Sequence, residues 1–205
     1  MDLIKFFQTG GPFMYAILAV MALGLAIALE RLIYLLSTQA KTNKVWKGIT
    51  PMLKANDLER AELAVSRTNT PLARVLVYGF SRKKSSAKRE LIESAMDEGI
   101  MEVVPELEQR THYLATLANI ATLLGLLGTI IGLIQAFTAV ANADPAEKAD
   151  MLSASISVAM NTTAFGLTAA IPLILIHSYL STKTVRLVDN IEMAAVKCLN
   201  LMTDE

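Results

Sequence analysis

A single cysteine, Cys198, occurs in the 205 residues, so no intrachain disulfide can form and nothing calls for an oxidising compartment. On a tail segment it reads as a small apolar side chain. Net charge is lacking as well. The 19 Lys/Arg and 19 Asp/Glu cancel, which excludes the broad basic surface of a nucleic-acid-binding protein. There is no Gly-rich phosphate loop, no metal-ligand cluster and no nucleophile–base pairing of recognisable spacing. Neither catalysis nor a cofactor is expected. The N-terminus lacks the basic n-region of a cleavable signal peptide and is expected to be retained.

What the chain has instead is apolar length. Three stretches, Gly10 to Leu29, Tyr113 to Ala141 and Met151 to Thr182, carry no formal charge. Each reaches or exceeds the ~20 residues that cross a bilayer. The expected fold is an all-α membrane protein whose three transmembrane helices extend into a cytoplasmic helical bundle. Residues 1–11 form an amphipathic periplasmic segment carrying Leu3, Ile4, Phe6 and Phe7, broken by Gly10-Gly11-Pro12. Spans follow at 12–36, 113–141 and 152–181, with a soluble helical block at 37–112, a loop at 142–151 and a tail helix at 182–205. The soluble block holds 13 Lys/Arg, whereas the loop after the second span has only Lys148 against Asp144, Glu147 and Asp150. By the positive-inside rule the block and the C-terminus are cytoplasmic and the N-terminus periplasmic.

The second span is two-faced. At 100° per residue, Ala115, Ala118, Ala121, Thr122, Gly125, Gly128, Thr129, Gly132, Ala136 and Ala139 share one side. Leu123, Leu126, Leu127, Ile130, Ile131, Ile134 and Phe137 cover the other. Small residues admit a close helix backbone, and Gly128-xxx-Gly132 lies at the centre of that face. The third span is the most polar. Ser153, Ser157, Asn161, Ala164 and Thr168 share one face, and Ser155, Ala159, Thr162, Thr163, Gly166 and Ala170 the opposite one. Such a helix should be gripped by protein on both sides, because hydroxyls and amides in hydrocarbon need partners. No acidic or basic residue lies inside spans two or three, so a conduction pathway through them needs a carboxylate from another chain.

In the soluble block, Asn56 with Glu59 reads as a helix start, and Thr70-Pro71 as an N-cap followed by proline. Arg82-Lys83-Lys84 with Lys88-Arg89 forms a basic, solvated cluster. From Ala87 onward, Leu91, Ile92, Ala95, Met96, Gly99, Ile100, Val103, Val104 and Leu107 form an apolar stripe that runs on towards the second span, with Pro105 as a bend. Glu30-Arg31 reads as structural or inter-subunit. His112 and His177 read as interfacial polar residues.

Two segments, LGLLGTIIGLIQAF from Leu124 and NTTAFGLTAAIP from Asn161, resemble the ExbB/TolQ/MotA family of ion-driven motor subunits, closest to ExbB. The resemblance implies a pentameric homo-oligomer in the bacterial inner membrane. The ring would surround an ExbD- or TolR-like single-pass partner that supplies an aspartate, and would act on a TonB-like periplasm-spanning protein. It implies that Thr129 and Thr163 line the pathway. The chain's own polar residues Thr122, Thr162, Asn161 and Ser157 are expected as further lining, and Gly125, Gly128, Gly132, Gly166 and Pro172 as packing positions. The chain departs from the pattern twice: Val158 stands where many relatives carry glutamate, and Ala121-Thr122 replaces Ala-Pro. The added hydroxyls leave sodium open as an alternative to protons. A TolQ-like envelope role, another motility or secretion stator, and a non-conducting membrane scaffold are the other readings.

Overall fold

The computed structural model describes residues 11–86, 88–141 and 144–203. The expected amphipathic start at Leu3, Ile4, Phe6 and Phe7 lies outside them, as do Gly10, at the expected first break, and Ala87, at the head of the apolar stripe. Six helices follow in order among the described residues: α1 Phe13–Lys54, α2 Leu58–Ser66, α3 Pro71–Ser85, α4 Arg89–Glu108, α5 Thr111–Ala141 and α6 Lys148–Thr203. Among the described residues there is no strand, and three helical stretches are long and apolar enough to cross a membrane. The protein is therefore an all-α membrane protein.

Local chemistry explains the boundaries. At the end of α1, Asn56 adopts a positive φ of 56°. Its N–H donates to the Leu53 carbonyl and that of Asp57 to Met52, the paired bonds of a left-handed helix stop. Asn56 thus closes α1 rather than opening α2, as the sequence had suggested. Asp57 is the cap, its carboxylate accepting from the Arg60 N–H at 3.2 Å. Thr70 caps α3 by accepting from the Ala73 N–H at 3.2 Å, with Pro71 in the first turn. The apolar stripe does not run unbroken into the second span: α4 stops at Glu108, and Arg110 has φ 64°. Pro105 contributes no N–H to the last turn of α4. The tail, conversely, is no separate helix, since α6 continues past Ser181 to Thr203.

The chain divides into two compact units: Met1–Leu29 with Arg110–Tyr179, and Glu30–Gln109 with Leu180–Glu205. In the first, α5 packs its small residues inward. Ala118, Ala121, Gly125, Gly128 and Ala136 are buried, while Leu123, Ile130, Ile134 and Phe137 are each more than half exposed. That outer surface suits acyl chains.

The second unit has a core of Ile49, Leu72, Leu76, Ile92, Met96, Leu107 and Ile191. Its antiparallel α3 and α4 meet at glycines: a methyl at Gly99 would lie 3.0 Å from the Val75 Cα, and one at Gly79 2.1 Å from the Met96 Cε. Arg31, 2% exposed, donates to the carbonyl of Leu107 in the last turn of α4 and lies 4.8 Å from the Tyr34 ring centroid. It therefore satisfies a carbonyl that the helix end leaves without a partner, a structural role. Arg74 bridges Glu102 at 2.5 Å and Glu106 at 2.7 Å, and Tyr78 donates to Glu102 at 2.6 Å. The basic cluster is partly committed too: Lys84 pairs with Glu62 at 2.8 Å, and Arg89 donates to Asn200 and Thr203 on α6.

Three consequences are measurable. Gly99→Leu should destabilise the protein by about 1–3 kcal/mol, because the added atoms meet backbone that cannot yield; thermal unfolding in detergent checks this. Burial pushes the Cys198 thiol up to about 12, so maleimide should label it only after unfolding. The Tyr78 hydroxyl, then the Arg74 guanidinium, hold the Glu102 carboxyl below its ordinary value of 4.5. A lowered pKa contributes stability present above the ordinary value and lost as pH falls through the lowered one. The unfolding temperature should thus decline below about pH 4.5, and the decline should be shallower in Glu102→Gln.

Candidate functional site

The site is built where α5 and α6 come closest. A methyl at Gly166 would lie 2.8 Å from the Ala121 carbonyl oxygen and 3.0 Å from the Gly125 Cα. A methyl at Gly125 would lie 3.2 Å from the Thr163 Cα. The two backbones touch there with no side chain between them. Further along, the Thr162 methyl fills the space over Gly128, and Ala159 fills that over Gly132. Two turns past Gly166 on the same side of α6, Leu173 packs against Gly24 of α1.

This approach lets a side chain of one helix reach the main chain of the other. The Thr163 hydroxyl donates to the Gly125 carbonyl at 2.8 Å, across 38 residues of sequence, and its oxygen lies 3.4 Å from Thr129 Oγ1. The Thr129 hydroxyl donates to Leu126 at 2.6 Å. Each hydroxyl spends its one proton on a carbonyl, so the facing oxygens retain acceptor lone pairs. Both side chains are half-buried. A hydroxyl rotation of either residue would turn that contact into a hydrogen bond. The pair can thus accept from water or a protonated carboxyl, or pass a proton along, without itself ionising.

The other expected lining residues separate. Thr122 is half-buried and donates to Ala118 at 3.1 Å. Thr162, expected along a pathway, is 2% exposed and wedged over Gly128. One residue is a 100° turn, which puts Thr162 inside the contact and Thr163 at its edge. Asn161 is half-buried, and Ser157 is exposed with Ser153, Ala164 and Thr168. That face of α6 is uncovered by the described residues, so the chain grips α6 on one side where gripping on both was expected. Pro172, expected in a helix contact, is exposed, and Leu173 beside it makes the contact. Val158 lies 3.8 Å from a methyl built at Gly11 and brings no charge.

Sequence reasoning missed Arg31 as a helix-end partner and Gly24 as a packing position. Gly24 and Ala28 form a small-xxx-small pair in the first span, a signal that could have marked this face. Among the described residues no three His, Cys, Asp or Glu side chains could hold a metal.

These features define a class: a three-span helical membrane protein with a hydroxyl pair where two helix backbones meet and no membrane-buried carboxylate of its own beside it. The chain belongs to the MotA/TolQ/ExbB proton channel family, whose model matches residues 67–193, more than half of the chain. It is 28% identical over 192 residues to the biopolymer transport protein ExbB homolog of Methanothermobacter thermautotrophicus, covering 93% of this chain and 67% of that protein. It is 36% identical over 89 residues to the Tol-Pal system protein TolQ of Haemophilus influenzae, covering 43% of this chain and 39% of that one. An ExbB-like biopolymer transport protein of Synechocystis is 23% identical over 169 residues, covering 82% and 80%. Members of the family work with partner proteins in membrane complexes.

The hydroxyl pair makes a direct prediction. Thr163→Val preserves shape but leaves the Gly125 carbonyl one donor short, whereas Thr163→Ser keeps the donor. The valine protein should lose about 1 kcal/mol of α5–α6 association, and the serine protein less than half of that. Thermal unfolding of the two variants in detergent measures the difference.

Proposed function

We propose that this chain is an ExbB-like stator subunit of an inner-membrane ion-driven motor, with Thr129 and Thr163 on the ion pathway. Several copies, five by family resemblance, surround helices of a single-pass partner that supplies an aspartate. The chain itself catalyses no reaction. A proton neutralises the partner's carboxylate, and the acceptor oxygens of the threonine pair receive the carboxyl's hydrogen. The partner helix, now uncharged, moves against the ring, and that movement energises a TonB-like periplasm-spanning protein serving outer-membrane import. The observation that carries this reading is the hydroxyl pair at a backbone-to-backbone contact, on a helix whose other small, polar face the described residues leave uncovered. Serine and asparagine side chains at membrane depth require protein or water beside them, which neighbouring copies or a guest helix provide.

The distribution of Lys and Arg supports a periplasmic N-terminus and a cytoplasmic C-terminus. The 36% identity to TolQ over 89 residues favours a second reading, a stator of an envelope-maintaining system. The coupling ion is the proton in both.

The test is proton flux into liposomes holding this protein and its single-pass partner. Thr129→Val with Thr163→Val should lower flux at least tenfold while the complex still assembles. Replacing sodium by potassium at fixed pH should leave flux unchanged. Full activity of the assembled double variant would mean a passive scaffold, and loss of flux on removing sodium would make sodium the coupling ion.

A further inference from the structure

The second unit holds a cavity of about 540 Å³ between the last third of α1 and the α2–α3 junction. Three cations, Lys41, Lys44 and Arg67, line it with Thr68, Asn69 and Thr70, and no acid does. Three other cations of the unit are paired with acids: Arg74 with Glu102 and Glu106, Lys84 with Glu62, Arg60 with Asp57. Lys41, Lys44 and Arg67 have no acid partner among the described residues. The acid lining the adjoining cavity, Glu106, already serves Arg74 and Tyr34. Thr68 donates its proton to Ala64, and so offers oxygen lone pairs, while the side-chain amide of Asn69 offers donors. Thr70 caps α3, so the partial positive charge of that helix start adds to the three cations.

The floor is apolar: Val45, Ile49, Met52 and Ala64. Gly48 lies among them, in the interior of α1, and a methyl built on it would meet nothing within 4 Å. Elsewhere in this unit a glycine admits a neighbour, as Gly79 does for Met96 and Gly99 for Val75. Gly48 weakens its helix with no such packing in return. What its missing side chain provides is open volume in front of the cations. Lys41 is five residues past Leu36, the end of the first span, within the depth that lipid headgroups occupy.

We propose that this cavity binds a phosphate-ester anion carrying an apolar body, with Lys41, Lys44 and Arg67 on the phosphate and the Val45–Ile49–Met52 floor under the apolar part. An acidic phospholipid is the form of that chemistry which a membrane presents; a soluble phosphate ester is the alternative source. The site is separate from the threonine pair.

The experiment is calorimetric titration of the full-length protein in a neutral detergent. The probes are dihexanoyl-phosphatidylglycerol, dihexanoyl-phosphatidylcholine and glycerol 3-phosphate. The phosphatidylglycerol should bind at least tenfold tighter than the phosphatidylcholine, and more weakly as salt rises. Lys41→Gln with Lys44→Gln and Arg67→Gln should cut its affinity at least tenfold. Gly48→Leu should do the same while leaving the unfolding temperature unchanged or higher, which separates a filled cavity from a damaged fold. Thr163→Val should leave binding untouched. Glycerol 3-phosphate matching the phosphatidylglycerol, with the same response to the variants, would uphold the site and assign it to a soluble ester. Equal binding of the two lipids, or affinity unchanged in both the triple variant and Gly48→Leu, would overturn the proposal.

Discussion

Contact between the α5 and α6 backbones is the constraint on which the membrane-spanning part depends. In hydrocarbon the hydrophobic effect does not drive helices together, so close packing and hydrogen bonds must. Gly125 and Gly166 remove the side chains that would hold the helices apart, and the resulting approach allows Thr163 to donate to the Gly125 carbonyl. The same geometry assigns the neighbouring residues of α6. Thr162 is turned into the contact, Thr163 is held at its edge, and Ser157 is turned away. A bulkier residue at Gly166 would strike the Ala121 carbonyl and displace all of them together.

The second unit is held by different physics. Its helices are amphipathic and shorter, and water drives the burial of Leu72, Leu76, Ile92, Met96 and Leu107. Glycines recur at the α3–α4 crossing, yet the surrounding charges are arranged for solvent, with Arg74 gathering Glu102 and Glu106 on an exposed flank. Arg31 is the exception. It is a buried cation whose guanidinium ends on a helix-terminal carbonyl, where partial negative charge accumulates. One helix, α1, serves both environments: apolar with small residues in its first part, then threonine- and lysine-bearing where it enters the second unit.

Much of this organisation was legible from residue order. The Thr70-Pro71 cap, the three apolar stretches and the division of α5 into small and bulky faces all follow from short-range chemistry or from a 3.6-residue period. Asn56 was misread because asparagine serves both helix starts and left-handed helix stops; only its φ tells them apart. The break at Arg110 was missed because an apolar stripe carries no record of a single residue turning left-handed. Thr162 was not told apart from Thr163, nor Pro172 from Leu173, because a motif names neighbours without saying which of them points at the adjoining helix.

The order of residues determined by itself that this chain is helical, that it crosses a membrane, and that its second and third spans hold no acidic side chain. Those properties depend on composition and period, which are local and additive along the chain. Tertiary structure decided which hydroxyl is buried, which meets a carbonyl 38 residues away, and which face of α6 stays uncovered. Those outcomes turn on the rotation and separation of two helices, quantities set by all their contacts at once and written at no single position.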